Sequence, residues 1–134
     1  MATTYKFSDF DIDFNRNTFI DDISLKKDIN SVRQSVMNIV LTVPGEKPFQ
    51  RDFGVGLRQQ LFELWTPYRK AILQKNIIDG VNRLEHRVEV YEVDFDEESI
   101  DDNQISININ FLVFIGERSE PIQDNIRISM VKVR

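Results

Sequence analysis

The chain has 134 residues, 41% hydrophobic and 29% charged, and its 22 acidic against 17 basic side chains give a formal charge of -5. That balance fits one globular domain with a real core and excludes wholesale disorder, while the absence of cysteine excludes disulfides, thiolate nucleophiles and Cys-ligated metal centres. No apolar run reaches the ~18 residues a membrane span needs, the N-terminus is not expected to act as a secretory leader, and an acidic chain without clustered Lys/Arg is a poor nucleic-acid surface.

Residues 1–25 read as an N-terminal arm in which Tyr5, Phe7, Phe10, Ile12 and Phe14 sit among Asp9, Asp11 and Asp13. The alternation of Phe10, Ile12 and Phe14 with aspartates predicts a short strand or extended arm resting on its own domain or on a neighbour. From residue 26 to 134 the pattern is that of a single domain. Asp28 is a candidate N-cap for a helix over 29–42 whose apolar stripe is Ile29, Val32, Val36, Ile39 and Val40. Pro44-Gly45 stops it. Residues 44–56, with two prolines and three of the five glycines, predict a sharply bent connection, a hairpin. Leu57, Leu61, Phe62, Leu64 and Trp65 continue as a short helical segment. Thr66-Pro67 is a helix start, Thr as cap and Pro at the first helical position. That helix runs to about Glu85, with Leu73, Ile77, Val81 and Leu84 on one face and Ile78 beside them. Gly80 costs it about 1 kcal/mol against alanine, which close packing would justify.

The remaining third reads as sheet. Residues 87–95 alternate with a phase slip between Val90 and Tyr91, predicting a bulge. Residues 105–114 put Ile105, Ile107, Ile109, Phe111 and Val113 on one face. Residues 125–133 begin with Ile126, Ile128 and Met130 on one side, and a slip at Met130-Val131 predicts a second bulge. The linker 116–121 would close the last two strands into an antiparallel hairpin. The expected class is α+β: two main helices packed on a small antiparallel or mixed sheet that ends in a C-terminal β-hairpin.

Little in the sequence points to catalysis. Asp9-x-Asp11-x-Asp13 opens like a calcium loop, but Phe14 and Ile20 stand where glycine and glutamate belong; Asp94-x-Asp96-x-Glu98 fails likewise with Ser99 and Ile105. Gly54-x-Gly56 lacks the third glycine and the Gly-Lys-Ser/Thr of a phosphate loop. His86, the single histidine, has no nucleophile elbow to serve and suits a helix C-terminus. Glu63 and Glu85, with Asp52 or Asp79, could form a glycosidase pair only across a cleft. No metal and no cofactor is expected. The Glu85-His86-Arg87 corner, where helix gives way to strand, offers a planar donor fork and a carboxylate to a partner, or else closes on itself as a local ion pair. Residues 92–102 hold seven acidic side chains and no basic one, an exposed turn. The last strand presents an edge guarded by little more than Arg127, Lys132 and Arg134, and such an edge invites pairing with another chain. That favours an assembly component over an enzyme.

Taken in order, Gly45-x-Lys47-Pro48-Phe49-x-x-x-Phe53-Gly54, Leu57-x-x-x-Leu61-Phe62-Glu63, Thr66-Pro67 and Glu85-His86-Arg87 resemble the baseplate wedge proteins of contractile-tailed phages. This is the sheath-initiator or "lysozyme-like" wedge family, which includes the small baseplate subunit of type VI secretion systems. The resemblance implies a virion tail protein in a six-fold assembly. It would bind the wedge core proteins and present a strand on which sheath subunits polymerise, with the tail tube or hub as a further contact. It implies partner contacts at Glu85 and Arg87, where His86 replaces the family's proline, and at Lys47, Pro48, Phe49, Phe53 and Gly54, where lysine replaces an arginine; the pairing strand carries Ile126, Ile128 and Met130. The competing expectations are a peptidoglycan-cleaving enzyme, after the family's lysozyme label, and a small regulatory adaptor on the same fold.

Overall fold

The structure, a computed structural model, describes residues 8–10, 16–17, 22–23, 25–27, 29–61, 65–96, 104–114 and 120–131. Near the N-terminus two short antiparallel ribbons are nested: β1 (Ser8–Phe10) pairs with β4 (Leu25–Lys27), and between them β2 (Arg16–Asn17) pairs with β3 (Asp22–Ile23). Phe10 therefore lies in a strand, whereas Ile12 and Phe14 fall outside the described residues. Strand β4 leads into helix α1 (Ile29–Leu41), and the expected cap Asp28 also lies outside them. The predicted stripe is real: Val32, Val36, Ile39 and Val40 are buried on one side of α1. Thr42 closes its end, both its amide and its hydroxyl donating to the carbonyl of Asn38.

Residues 44–56 are not the hairpin that their composition predicts. They form successive tight turns, closed by bonds from the amides of Glu46, Gln50 and Phe53 to the carbonyls of Val43, Lys47 and Gln50. Positive φ at Gly45 (91°), Phe49 (65°), Gly54 (106°) and Gly56 (70°) reverses the chain too often for two extended legs to pair. The returning leg instead binds the C-terminal end of α1, with Val55 N–H on Ile39 C=O at 3.0 Å and Gly56 N–H on Thr42 C=O at 2.9 Å. A Cβ at Gly54 would sit 2.2 Å from the Thr42 carbonyl oxygen, so only glycine permits that approach.

After α2 (Leu57–Leu61), Thr66 caps α3 (Pro67–Leu84) as expected, its hydroxyl accepting from the amide of Arg69 at 3.2 Å. Gly80 is the close-packing site: a Cβ there would lie 2.8 Å from Val55 Cγ2 of the turn segment. Strands β5 (Val88–Asp96), β6 (Gln104–Val113) and β7 (Ile122–Val131) form an antiparallel meander in the order β5-β6-β7. The predicted bulge is present, with register shifting between Val90 and Glu92 so that Tyr91 is extra. The second is absent through Val131. Pairing of β6 with β7 is regular from Val113↔Ile122 to Gln104↔Val131, and Val131 turns its apolar side chain to solvent, 68% exposed, rather than shifting phase. Residues 132–134 lie outside the described residues.

The fold is α+β in the expected sense. Helices α1 and α3 cover one face of the meander, and Ile105, Ile107, Ile109, Phe111 and Val113 of the central strand meet Leu73, Ile77 and Val81 of α3 and the α1 stripe in one continuous core. The other face carries Asn108, Asn110, Arg127 and Ser129. Burial on that scale, about 25 cal/mol per Å² of apolar surface, fixes the strand borders rigidly relative to the helices.

Candidate functional site: an open sheet border and a charged corner

Strand β7 borders the sheet. Among the described residues its only neighbour is β6, so alternate residues along its ten-residue length direct backbone N–H and C=O groups away from the sheet. The side chains singled out on it point into the chain's own core. Ile126 and Ile128 are 6% and 7% exposed and belong to the chain's own core, and Met130 packs against that core. Any contact they make with a partner is therefore through their backbone, because the alternation that makes them apolar points their side chains under the helices. The border offers backbone groups instead, flanked by Gln123, Asn125, Arg127, Ser129 and Val131. Arg127 reaches across the sheet to the Asp96 carboxylate at 2.9 Å, and the Ser129 and Ser106 hydroxyls meet at 2.9 Å.

The start of β7 is fastened to α1. The Nε and one terminal nitrogen of the Arg33 guanidinium donate to the two carboxylate oxygens of Asp124. That bond, opposed by burial and assisted by the Asn125 amide and the arginine charge, holds the Asp124 carboxyl below its ordinary range. Arg33 and Asp124 are 91 positions apart and no motif joins them. A trace was nevertheless visible, since Asp124 occupies the core phase of a strand whose next members are Ile126 and Ile128, and an acid there needs a partner.

At the other border a turn joins α3 to β5. Glu85 is the C-cap, its amide on the Val81 carbonyl at 2.9 Å, and the Val88 amide closes the turn on the Glu85 carbonyl at 3.3 Å. The Glu85 side chain is buried, 7% exposed. It accepts Arg87 Nε and a terminal guanidinium nitrogen at 2.7 Å each, and the Ser35 hydroxyl of α1. Burial pushes its carboxyl up, but the bonds from Arg87 and Ser35 together with the arginine charge outweigh that and leave it below its ordinary value. Glu85 therefore acts inward, as the orienter of Arg87, whose half-buried side chain keeps 28% of its surface. Ser35 lies fifty positions away and sequence reasoning missed it. His86 is exposed at the apex.

The third group lies on the turn segment. Lys47 sits with its ammonium 4.0 Å above the Phe53 ring, Pro48 and Phe49 form the following turn, and Gly54 abuts Thr42. Phe49 is fully exposed and Phe53 half-buried against the core. Arg83 of α3 donates to the Asp52 carbonyl at 2.9 Å, so this segment and the Glu85–Arg87 corner are held by the same helix. The β7 border stands apart, joined to α1 by Arg33. Of the candidate carboxylates, Glu63 is outside the described residues, and Glu85 is ion-paired with a lowered pKa, the reverse of what a glycosidase acid requires. Among the described residues no three His, Asp or Glu side chains are grouped to hold a metal ion.

The model of a family described as "Baseplate wedge protein gp25" matches residues 26–116, well over half of the chain. A curated relative, the baseplate wedge protein gp25 of Enterobacteria phage T4, is 34% identical over 68 residues, and that match spans 51% of this chain and only about half, 52%, of the relative. Two solved structures share the fold. One is a Geobacter sulfurreducens protein provisionally described as a tail lysozyme, with a TM-score of 0.65 at 19% identity over 78% of this chain and 90% of that one. The other is a chain of the six-fold symmetrised baseplate of the anti-feeding prophage, with a TM-score of 0.61 at 16% identity over 96% and 87%.

Proposed function

Because the chain belongs to the baseplate wedge protein gp25 family, structural components of contractile-tail baseplates, we propose that it joins core wedge proteins to the first sheath subunits, lending its β7 border to a strand of the sheath. As a family member it is a structural part of the virion tail. The observation that carries the finer reading is the β7 border itself: ten residues in regular register with one neighbour among the described residues and no bulge to turn it aside. A partner strand would gain backbone bonds there, each netting only about 0.5–1.5 kcal/mol. Such weak pairings hold firmly when a symmetric ring repeats them and each subunit raises the effective concentration of the next. Arg87, aimed by Glu85 and Ser35, serves as the anchor toward the wedge core, with its planar fork suited to a carboxylate or backbone carbonyls. The role is mechanical, without bond cleavage.

Amide hydrogen exchange tests the border. In the isolated chain alternate amides of β7 should exchange quickly, and in purified tails the same amides should be slowed at least tenfold while those of β5 keep their rates. Exchange along β7 that is equally fast in tails and in the isolated chain would refute the strand-lending role.

A further inference from the structure

Phe49 has a conformation that folding alone does not explain. Gln50 N–H bonds to Lys47 C=O at 3.3 Å, with Pro48 second and Phe49 third in the turn. That is the form of a type II turn, whose third position has positive φ and takes glycine or asparagine by preference. Here it holds a bulky aromatic at φ 65°, the sole non-glycine residue with positive φ among the described residues. Its side chain gains nothing in return from the fold, since it is fully exposed. Among the described residues the other aromatics that are more than half exposed, Tyr68 and Tyr91, have hydroxyls for water and ordinary backbone. Phe49 has neither.

The turn that displays it is held from several sides. Lys47 stacks on Phe53, the Glu46 carboxylate accepts the Val43 amide at 3.3 Å, and the Asp52 carbonyl is bonded by Arg83. Gly54 and Gly56 are locked against the end of α1. A strained, exposed residue on a fixed frame marks a functional position, because the surroundings must over-determine it, and an aromatic that loses little entropy on docking is the usual anchor of a protein interface.

We propose that Phe49 is a preformed knob that inserts into an apolar socket of a different protein in the baseplate. Arg51, exposed two residues on, and the ammonium of Lys47 call for an acidic rim around that socket. A second copy of this chain does not fit. The cleft of about 380 Å³ between the turn segment and α3 mixes Pro44, Gly54, Val55 and Gly80 with Gln60, Asn76, Asp79 and Arg83, so half of its lining residues would set polar or charged groups against a phenyl ring. A lipid surface does not fit either, since one ring on a chain of net charge -5 gives negligible insertion. The proposal rests on the chain being a baseplate component and is independent of strand lending by β7.

Phe49→Gly separates the knob from the fold. Glycine relieves the positive φ, so the isolated variant should melt about 2–4 °C higher than the parent. Its incorporation into baseplates should fall about tenfold or more, as for loss of an interface anchor. A photoreactive benzoylphenylalanine at position 49 should crosslink, in assembled tails, to a polypeptide other than this chain. Normal incorporation of Phe49→Gly, a lowered melting temperature, or crosslinks confined to copies of this chain or to anionic phospholipid vesicles would each overturn it. Unaltered β7 protection in Phe49→Gly particles that do assemble keeps this result distinct from the strand-lending test.

Discussion

The two borders of the meander face the same solvent and are treated in opposite ways. At β5 the ladder is interrupted by the Tyr91 bulge, the neighbouring Val90 amide is taken by the Asn82 side chain of α3 at 2.8 Å, and Glu89, Glu92 and Asp94 stud the exposed positions. At β7 ten residues run without a bulge, and the charges nearby are engaged elsewhere: Asp124 with Arg33, Arg127 with Asp96. Sheets that avoid edge-to-edge association use bulges, charges and covering helices. One border has all three, whereas among the described residues the other has no bulge and is tied to a helix only at its start, so the difference is not a generic property of this small sheet. The β7 border is the side that the proposed strand lending would use.

The sharpest way to break that comparison is proline at each border. Ile128→Pro removes a buried side chain and disturbs a regular ladder, and should cost at least about 3 kcal/mol in urea unfolding. A loss of that size weakens the whole domain along with its border, so an assembly defect in this variant would not report on β7 alone, which is why exchange rates are the better probe of β7. Tyr91→Pro, at the unpaired bulge residue, should cost less than about 1.5 kcal/mol. Equal losses at the two positions would show that the borders do not differ as described.

Each border also has an arginine–carboxylate fastening where its strand begins, Glu85 with Arg87 at the entry to β5 and Asp124 with Arg33 at the start of β7. Glu85→Gln should destabilise by roughly 1–2 kcal/mol at neutral pH, since it leaves a half-buried guanidinium and the Ser35 hydroxyl with a weaker acceptor. Asp124→Asn should cost under about 1 kcal/mol, because Arg33 is half exposed and screened. Both carboxyls titrate lower in the native chain than in the unfolded one. The unfolded chain thus binds more protons through the acid range, so this stability is complete above about pH 5 and is lost as pH falls through the depressed native values. The double variant should flatten that acid limb in a pH series of unfolding midpoints; a limb as steep as the parent's would show that neither pair matters.

Periodicity made most of the fold legible. The α1 stripe, the Thr66-Pro67 start, the Tyr91 bulge and the alternating β6 face are local patterns, and each came out where the spacing put it. What failed was decided by contacts distant in sequence. The turn segment 44–56 has the glycines and prolines of a hairpin, yet it is shaped by docking on Ile39 and Thr42. Val131 looks like a phase slip because an apolar side chain on the solvent face is indistinguishable from a bulge by alternation alone. The same limit applies to the site: an apolar residue such as Ile128 can be recognised as part of an edge strand, but whether it faces core or partner depends on where the helices lie.

The smallest effect concerns the corner that leads into the sealed border. His86 stands at the second position of the turn closed by Val88 N–H on Glu85 C=O, the place where proline's fixed φ is favoured. The residue before a proline is confined to extended backbone, and Glu85 is already there, at φ -121° and ψ 99°. The turn thus holds its shape without the ring, because the Glu85 carboxylate grips both the amide and the guanidinium of Arg87. Substituting His86→Pro should then remove freedom from the unfolded chain at little native cost and raise stability by about 0.4–1 kcal/mol. Arg87 would keep its bonds to Glu85, so the acid limb of the stability profile should be unchanged. A destabilised variant, or one whose acid limb disappears, would mean that the corner depends on histidine for more than filling the turn, and the view of Glu85 as the element that sets its geometry would have to be given up.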